Sequence, residues 1–150
     1  MQARQFFLSL ALLLSTSLAA HASSPSLGNI MPRGVQRAKD AVLVFQGARL
    51  SDAKEVVFYS PGFTVKEFKV LKDDAVQVTV QVAADCRLGE HAVRLRTAAG
   101  ISELRTFYVG ALPIVAEKEP NNEFANPQKI PLNVTVTGVV DNEDVDYFAF

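Results

Sequence analysis

The segment AVQVTVQVAAD, residues 75–85, alternates more regularly than any other part of the chain. Val76, Val78, Val80 and Val82 fall on one side and Gln77, Thr79 and Gln81 on the other, a period of two that only an extended strand turns into one dry and one wet face. Such a strand must lay its dry face against a second layer. The flanking segments repeat the theme: AVLVFQG, EVVFYS and FTVKEFKVL precede it, HAVRLRTAAG and ISELRTFYVG follow, and each ends near Gly, Pro, Ser or Asp. No helical period is sustained from Ala41 onward. In HAVRLRTAAG, His91, Val93 and Leu95 share a face with Arg94 and Arg96 opposite, and Ala98-Ala99-Gly100 closes a hairpin. Six strands, spaced by turns about ten residues apart between Ala41 and Val109, predict a small antiparallel sandwich.

The N-terminus is built for export. MQARQFFLSLALLLSTSLAAHASS carries one cation at Arg4, an apolar run from Phe6 to about Ala19 and the small-residue pattern Ala20-His21-Ala22. This is a secretory signal, residues 1–22, with cleavage after Ala22. Its apolar run of about fifteen residues is short of the roughly twenty a span needs, and no Cys follows the cleavage region to take a lipid anchor. The mature protein is therefore expected outside the cytoplasm of a bacterium, secreted, periplasmic or in the cell envelope, with no membrane span. The same segment inflates the hydrophobic share of 49% and the mean hydropathy of +0.14. A net charge of -1 leaves no broad basic face for nucleic acid.

Little in the chain carries reaction chemistry. HExxH and GxSxG are absent, no glycine loop cradles phosphate, and once His21 leaves with the signal His91 is the remaining imidazole. No Ser, Cys or acid is obviously grouped with His91 as a catalytic set along the sequence, so a packed or rim histidine is expected and no catalytic residue is assigned. Cys86 is the single cysteine, which excludes an intramolecular disulfide and reads as a small turn residue. Arg94, Arg96 and Arg105 read as a solvated outer face. Phe58, Tyr59, Phe63 and Phe68 gather around Pro61-Gly62, where they form either core or an aromatic strip for carbohydrate.

Beyond the sandwich, VGALPIVAEKEPNNEFANPQKIPLN holds Pro113, Pro120, Pro127 and Pro131, as a linker or irregular entry segment does. NVTVTGVV and VDYFAF follow as two strands. Two strands cannot enclose a core, and about thirty-five residues without a disulfide lie below the size that folds unaided. Glu117, Glu119, Asn121 and Asn122 before the first of them, with Asp141, Glu143, Asp144 and Asp146 after it, offer hard oxygens for Ca²⁺ if the two segments meet. A solvated acidic turn fits the same residues. DNEDVDYFAF lacks the glycine and glutamate of an EF-hand loop.

Two resemblances rest on these residues. PRGVQRAKDAVLVFQGARLSDAKEVVFYSPG, with Arg33-Gly34, Gly47, Leu50, Leu88-Gly89, Gly100 and the closing TFYVG, resembles the immunoglobulin-like modules of the IPT/TIG type in bacterial exported proteins. This implies a spacer or binding role and no catalysis. EKEPNNEFANPQKIPLNVTVTGVVDNEDVDYFAF is similar to the opening half of the bacterial pre-peptidase C-terminal domain, a jelly-roll-like β-sandwich; Glu117, Glu119, Pro120, Asn121, Asn122, Gly138, Asp144, Asp146, Tyr147, Phe148 and Phe150 match. The resemblance to collagenase members of that family implies Ca²⁺ held by Glu117, Glu119, Asn121, Asn122, Glu143 and Asp146, although Asn122 stands where those domains carry Asp. The expected organisation is all-β: signal 1–22, immunoglobulin-like sandwich 23–110, linker 111–116, and an incomplete second β-sandwich 117–150. The expected function is a non-catalytic exported binding or spacer module pair at the front of a larger secreted or envelope protein. The alternative is the accessory region of a secreted peptidase whose catalytic domain lies beyond residue 150. Expected partners are other domains of the parent chain, an extracellular protein or carbohydrate.

Overall fold

The computed structural model describes residues 24–139 and 144–150; the expected signal peptide and Glu143 lie outside the described residues. Eight strands build the first unit: β1 (Ser26–Met31), β2 (Gly34–Gln36), β3 (Asp40–Ala48), β4 (Ala53–Phe58), β5 (Phe63–Lys72), β6 (Ala75–Val82), β7 (Gly89–Thr97) and β8 (Arg105–Gly110). They form two four-stranded sheets, in the orders β1-β3-β6-β5 and β2-β8-β7-β4. The result is an all-β, immunoglobulin-like sandwich.

The alternation in β6 sets its core. Val76, Val78, Val80 and Val82 are at most 1% exposed, and with Leu43 and Phe45 of β3 they join Val93, Leu95, Phe107 and Val109 of the other sheet in one cluster. Burying each such side chain is worth about 1.5–3 kcal/mol. His91, Val93 and Leu95 all point into this layer while Arg96 lies outside it. The hairpin after β7 holds one extra residue: Arg96 bridges Ile101, yet Val93 faces Arg105. Ser102 stitches the irregularity by accepting the Leu95 N–H at 3.0 Å through its hydroxyl.

β1 and β2 carry no clean alternation, because Gly and Asn interrupt SLGNIM and GVQ is too short to show a period. They account for one departure from an antiparallel sandwich: β2 pairs with β8 in parallel. Met31 still pairs with Val44 in the first sheet, and three residues on Gly34 pairs with Tyr108 in the second. The chain changes sheets across Pro32-Arg33, where proline offers no ladder donor, and runs on beside β8.

The remainder is sparse. β9 (Ile114–Ala116), within the expected linker, pairs in parallel with β11 (Thr135–Thr137), and β10 (Gln128–Lys129) pairs in parallel with β12 (Phe148–Ala149). Among the described residues from Ala111 onward no apolar side chain is buried, and Phe124 and Phe150 are 82% and 90% exposed. The buried residue there is a polar one, Asn121. Among the described residues no helix is long and apolar enough to cross a membrane.

Candidate metal centre

Strand pairing brings the acids together. β9 lies beside β11, and the Glu117 N–H donates to the Thr137 carbonyl at 2.9 Å, so Glu117 leaves β9 next to Gly138. Its carboxylate accepts the Val139 N–H at 3.1 Å and the Asn121 amide at 3.2 Å. A Cβ on Gly138 would collide with that carboxylate, so the close approach needs glycine. Tyr147 N–H donates to the Asn121 carbonyl at 2.9 Å and Gln128 N–H to the Tyr147 carbonyl at 2.9 Å, which seats the start of β12 against the entry loop. Gln128 also ties this loop down, accepting the Lys118 N–H at 2.8 Å and donating to the Ala116 carbonyl at 3.0 Å.

Glu117, Glu119 and Asp146 consequently present carboxylate oxygens all within 4.8 Å of one another. Asn121, 1% exposed, lies among them. Its Nδ2 is used by Glu117, but its Oδ1 is buried without a hydrogen-bond partner, as is Oδ1 of Asp146. A buried amide oxygen left unpaired costs about 1–3 kcal/mol, and a hard cation or a water molecule could each pair with it. Burial, first, raises the Asp146 pKa above the ordinary aspartate value; a hydrogen bond with Glu117 and the negative charges of Asp144, Glu117 and Glu119 raise it further. The donors are hard oxygens, the set suited to Ca²⁺ and not to a thiolate- or imidazole-seeking metal. These residues fit the ion. A cleft of about 370 Å³ opens beside them between Met31 and Pro32 of the sandwich and Glu117, Glu119 and Val139.

Of the six residues expected from sequence, the structure groups Glu117, Glu119 and Asp146 and places Asn121 in contact with Glu117 and Glu119. Asn122 is exposed and otherwise engaged: its Nδ2 donates to Asp144 at 3.0 Å and its Oδ1 accepts the Asn121 N–H at 3.3 Å. Nothing in the string NN distinguishes the buried asparagine from its exposed neighbour; the Tyr147 pairing does.

Other sequence candidates resolve individually. Phe58, Phe63 and Phe68 pack on the core and Tyr59 is 56% exposed, so the four aromatics form no common strip. Arg94 donates to the Ser102 carbonyl, Arg105 to that of Leu27, and Arg96 pairs with Glu55, which pulls the three guanidiniums to separate partners. Cys86 is 2% exposed, more enclosed than a turn residue requires, and burial raises its thiol pKa. His91 is not isolated as its sequence neighbourhood suggests: Ser60 and Cys86 both approach its ring.

No protein-family model matches the chain, and no curated protein matches it. Among solved structures it is similar to the Bacteroides ovatus mixed-linkage glucan utilization locus protein SGBP-B in complex with a mixed-linkage heptasaccharide, with a TM-score of 0.45, 16% identity and 64% of this chain covered. It is also similar to the BIgI domain of beta protein from S. agalactiae bound to CEACAM1, with a TM-score of 0.37, 12% identity and 57% of this chain covered. The chain spans 24% of the length of the first and 94% of the second.

Proposed function

We propose that the chain is a non-catalytic, exported pair of modules: an immunoglobulin-like spacer or binding unit of the IPT/TIG type, and a pre-peptidase C-terminal-type unit that Ca²⁺ holds together. The unpartnered Asn121 Oδ1, buried among Glu117, Glu119 and Asp146, carries the metal part of this reading. The second unit has no buried apolar side chain among its described residues, so an ion joining the exit of β9 to the approach to β12 supplies cohesion that a core would otherwise give. Glu117, Glu119, Asp146 and Asn121 hold the ion, and Gly138 gives Glu117 its position. The bound ion contributes positive charge that offsets carboxylate repulsion. The signal-like N-terminus supports export, and sites of this kind suit extracellular calcium, where modules bind at about 10⁻⁴–10⁻³ M.

Calorimetric titration with Ca²⁺ tests the proposal. Saturable binding by the protein, lost in Glu117→Gln with the far-ultraviolet spectrum unchanged, is the expected result. Absence of heat, together with absence of a thermal shift at 10 mM Ca²⁺, roughly tenfold above the upper end of that range, refutes it.

A further inference from the structure

At the start of β7 the fold builds a serine–histidine pair that the cation site does not use. Ser60 Oγ lies 2.6 Å from His91 Nδ1, and His91 Nε2 lies 2.6 Å from the Arg87 carbonyl oxygen. A carbonyl only accepts, so in the neutral imidazole the proton sits on Nε2 and Nδ1 offers its lone pair to the Ser60 hydroxyl. The ring is fixed as well as oriented: His91 is 1% exposed, with Phe63 edge-on at 5.0 Å and Phe107 at 6.1 Å. Ser60 itself is half-exposed on the lip of a cleft of about 220 Å³, whose walls are Ser60-Pro61-Gly62 and Asp85-Cys86-Arg87. Those walls are held in register by the Ala83 N–H donating to the Gly62 carbonyl at 2.9 Å. Gly62 has φ of 104°, and a Cβ there would come within 2.8 Å of Cys86 Sγ. Nucleophile, base and a group that orients the base thus stand in sequence beside a space open to small molecules, the arrangement that activates a serine. Cys86, though 4.0 Å from Nε2, is enclosed and keeps its proton.

We propose that Ser60 is a nucleophilic serine that is acylated once by small, activated carboxylic esters, a stoichiometric modification without turnover, with His91 Nδ1 taking its proton. The Ser60 Oγ–acyl carbon bond forms, the acyl carbon–oxygen bond of the ester breaks, the alcohol or phenol leaves with the bonding pair, and the serine proton passes through Nδ1 to the leaving group or solvent. General-base assistance of this kind is worth about 10²–10⁴-fold.

The experiment treats the protein with p-nitrophenyl acetate, following p-nitrophenolate release and locating acetyl groups by peptide mass spectrometry. Expected are a burst of about one equivalent and acetylation of Ser60 at least tenfold faster than of the exposed Ser24 and Ser51. Ser60→Ala removes the burst, and folded His91→Gln slows Ser60 acetylation about 100-fold. Equal labelling of Ser60, Ser24 and Ser51 in the unmodified protein, or a burst retained in Ser60→Ala, overturns the proposal. His91 is buried, so if His91→Gln fails to fold by circular dichroism, these two results decide the matter without it.

Discussion

Replacing Asn121 by Ala separates a structural hydrogen bond from a metal ligand, because the two ends of its amide do different things. The substitution removes the Nδ2 donor to Glu117, an interaction with a charged acceptor worth about 1.5–3 kcal/mol. It also removes a buried Oδ1 that has no partner, whose desolvation costs about 1–3 kcal/mol. At their central values, about 2 kcal/mol each, these effects nearly cancel without Ca²⁺. With Ca²⁺ they do not, since the variant has lost a ligand. At 10 mM Ca²⁺ and a dissociation constant of about 10⁻⁴ M, binding to the folded form alone stabilises it by about 2.7 kcal/mol. Urea titrations followed by tyrosine emission, with and without 10 mM Ca²⁺ (about 100 times that constant), measure both quantities in a chain that has no tryptophan. Expected is a Ca²⁺-dependent rise in stability for the unmodified protein that is largely absent in Asn121→Ala, whereas their stabilities in chelator nearly coincide. An equal Ca²⁺ response in both proteins refutes Oδ1 as a ligand. A variant much less stable in chelator shows that the oxygen was already satisfied.

Gly138→Ala drives a Cβ into the Glu117 carboxylate and displaces it; calorimetry should show Ca²⁺ affinity reduced at least tenfold, a loss of about 1.4 kcal/mol, while the sandwich melts as before. Leu43→Ala deletes a side chain that is 0% exposed and should lower the sandwich's unfolding free energy by about 2–5 kcal/mol in chemical denaturation, with Ca²⁺ affinity retained. Asp146 gives the pH dependence: a carboxyl whose folded pKa is raised contributes stability below its unfolded pKa and loses it as pH rises through the folded one. In chelator, protection of the Tyr147 amide from hydrogen exchange, corrected for intrinsic exchange rates, should therefore fall as pH rises from the ordinary aspartate range through the raised value. Ca²⁺ needs the ionised carboxylate, so its presence should flatten or reverse that trend, and acidification should weaken binding.

The apolar-rich strands were legible in the sequence. β3 and β5 to β7 fall within a residue or two of AVLVFQG, FTVKEFKVL, AVQVTVQV and HAVRLRT; in β3, β6 and β7 burial on one face of a pleated strand imposes alternation on local sequence, whereas β5 breaks its period at register shifts between Val65 and Glu67 and between Val70 and Lys72. β1 and β2 were not legible, since their pairing is decided by partners about fifteen to seventy-five residues away and by a change of sheet at Pro32-Arg33. The acidic segments could be named as oxygen donors from composition and from their resemblance to a known pattern. Which donors converge could not.

What the sequence determined on its own was chemistry and periodicity: β-branched alternation that demands two layers, one thiol and so no disulfide, no basic face, and acids on both sides of a short valine-containing strand. The tertiary structure alone decided proximity. The hydrogen bond from Tyr147 N–H to the Asn121 carbonyl, at the approach to β12, distinguishes Asn121 from Asn122 as the buried amide, and the meeting of the turn after β4 with the start of β7 set Ser60 against His91. Both outcomes depend on backbone hydrogen bonds between residues far apart in the chain, and no local pattern of side chains encodes those.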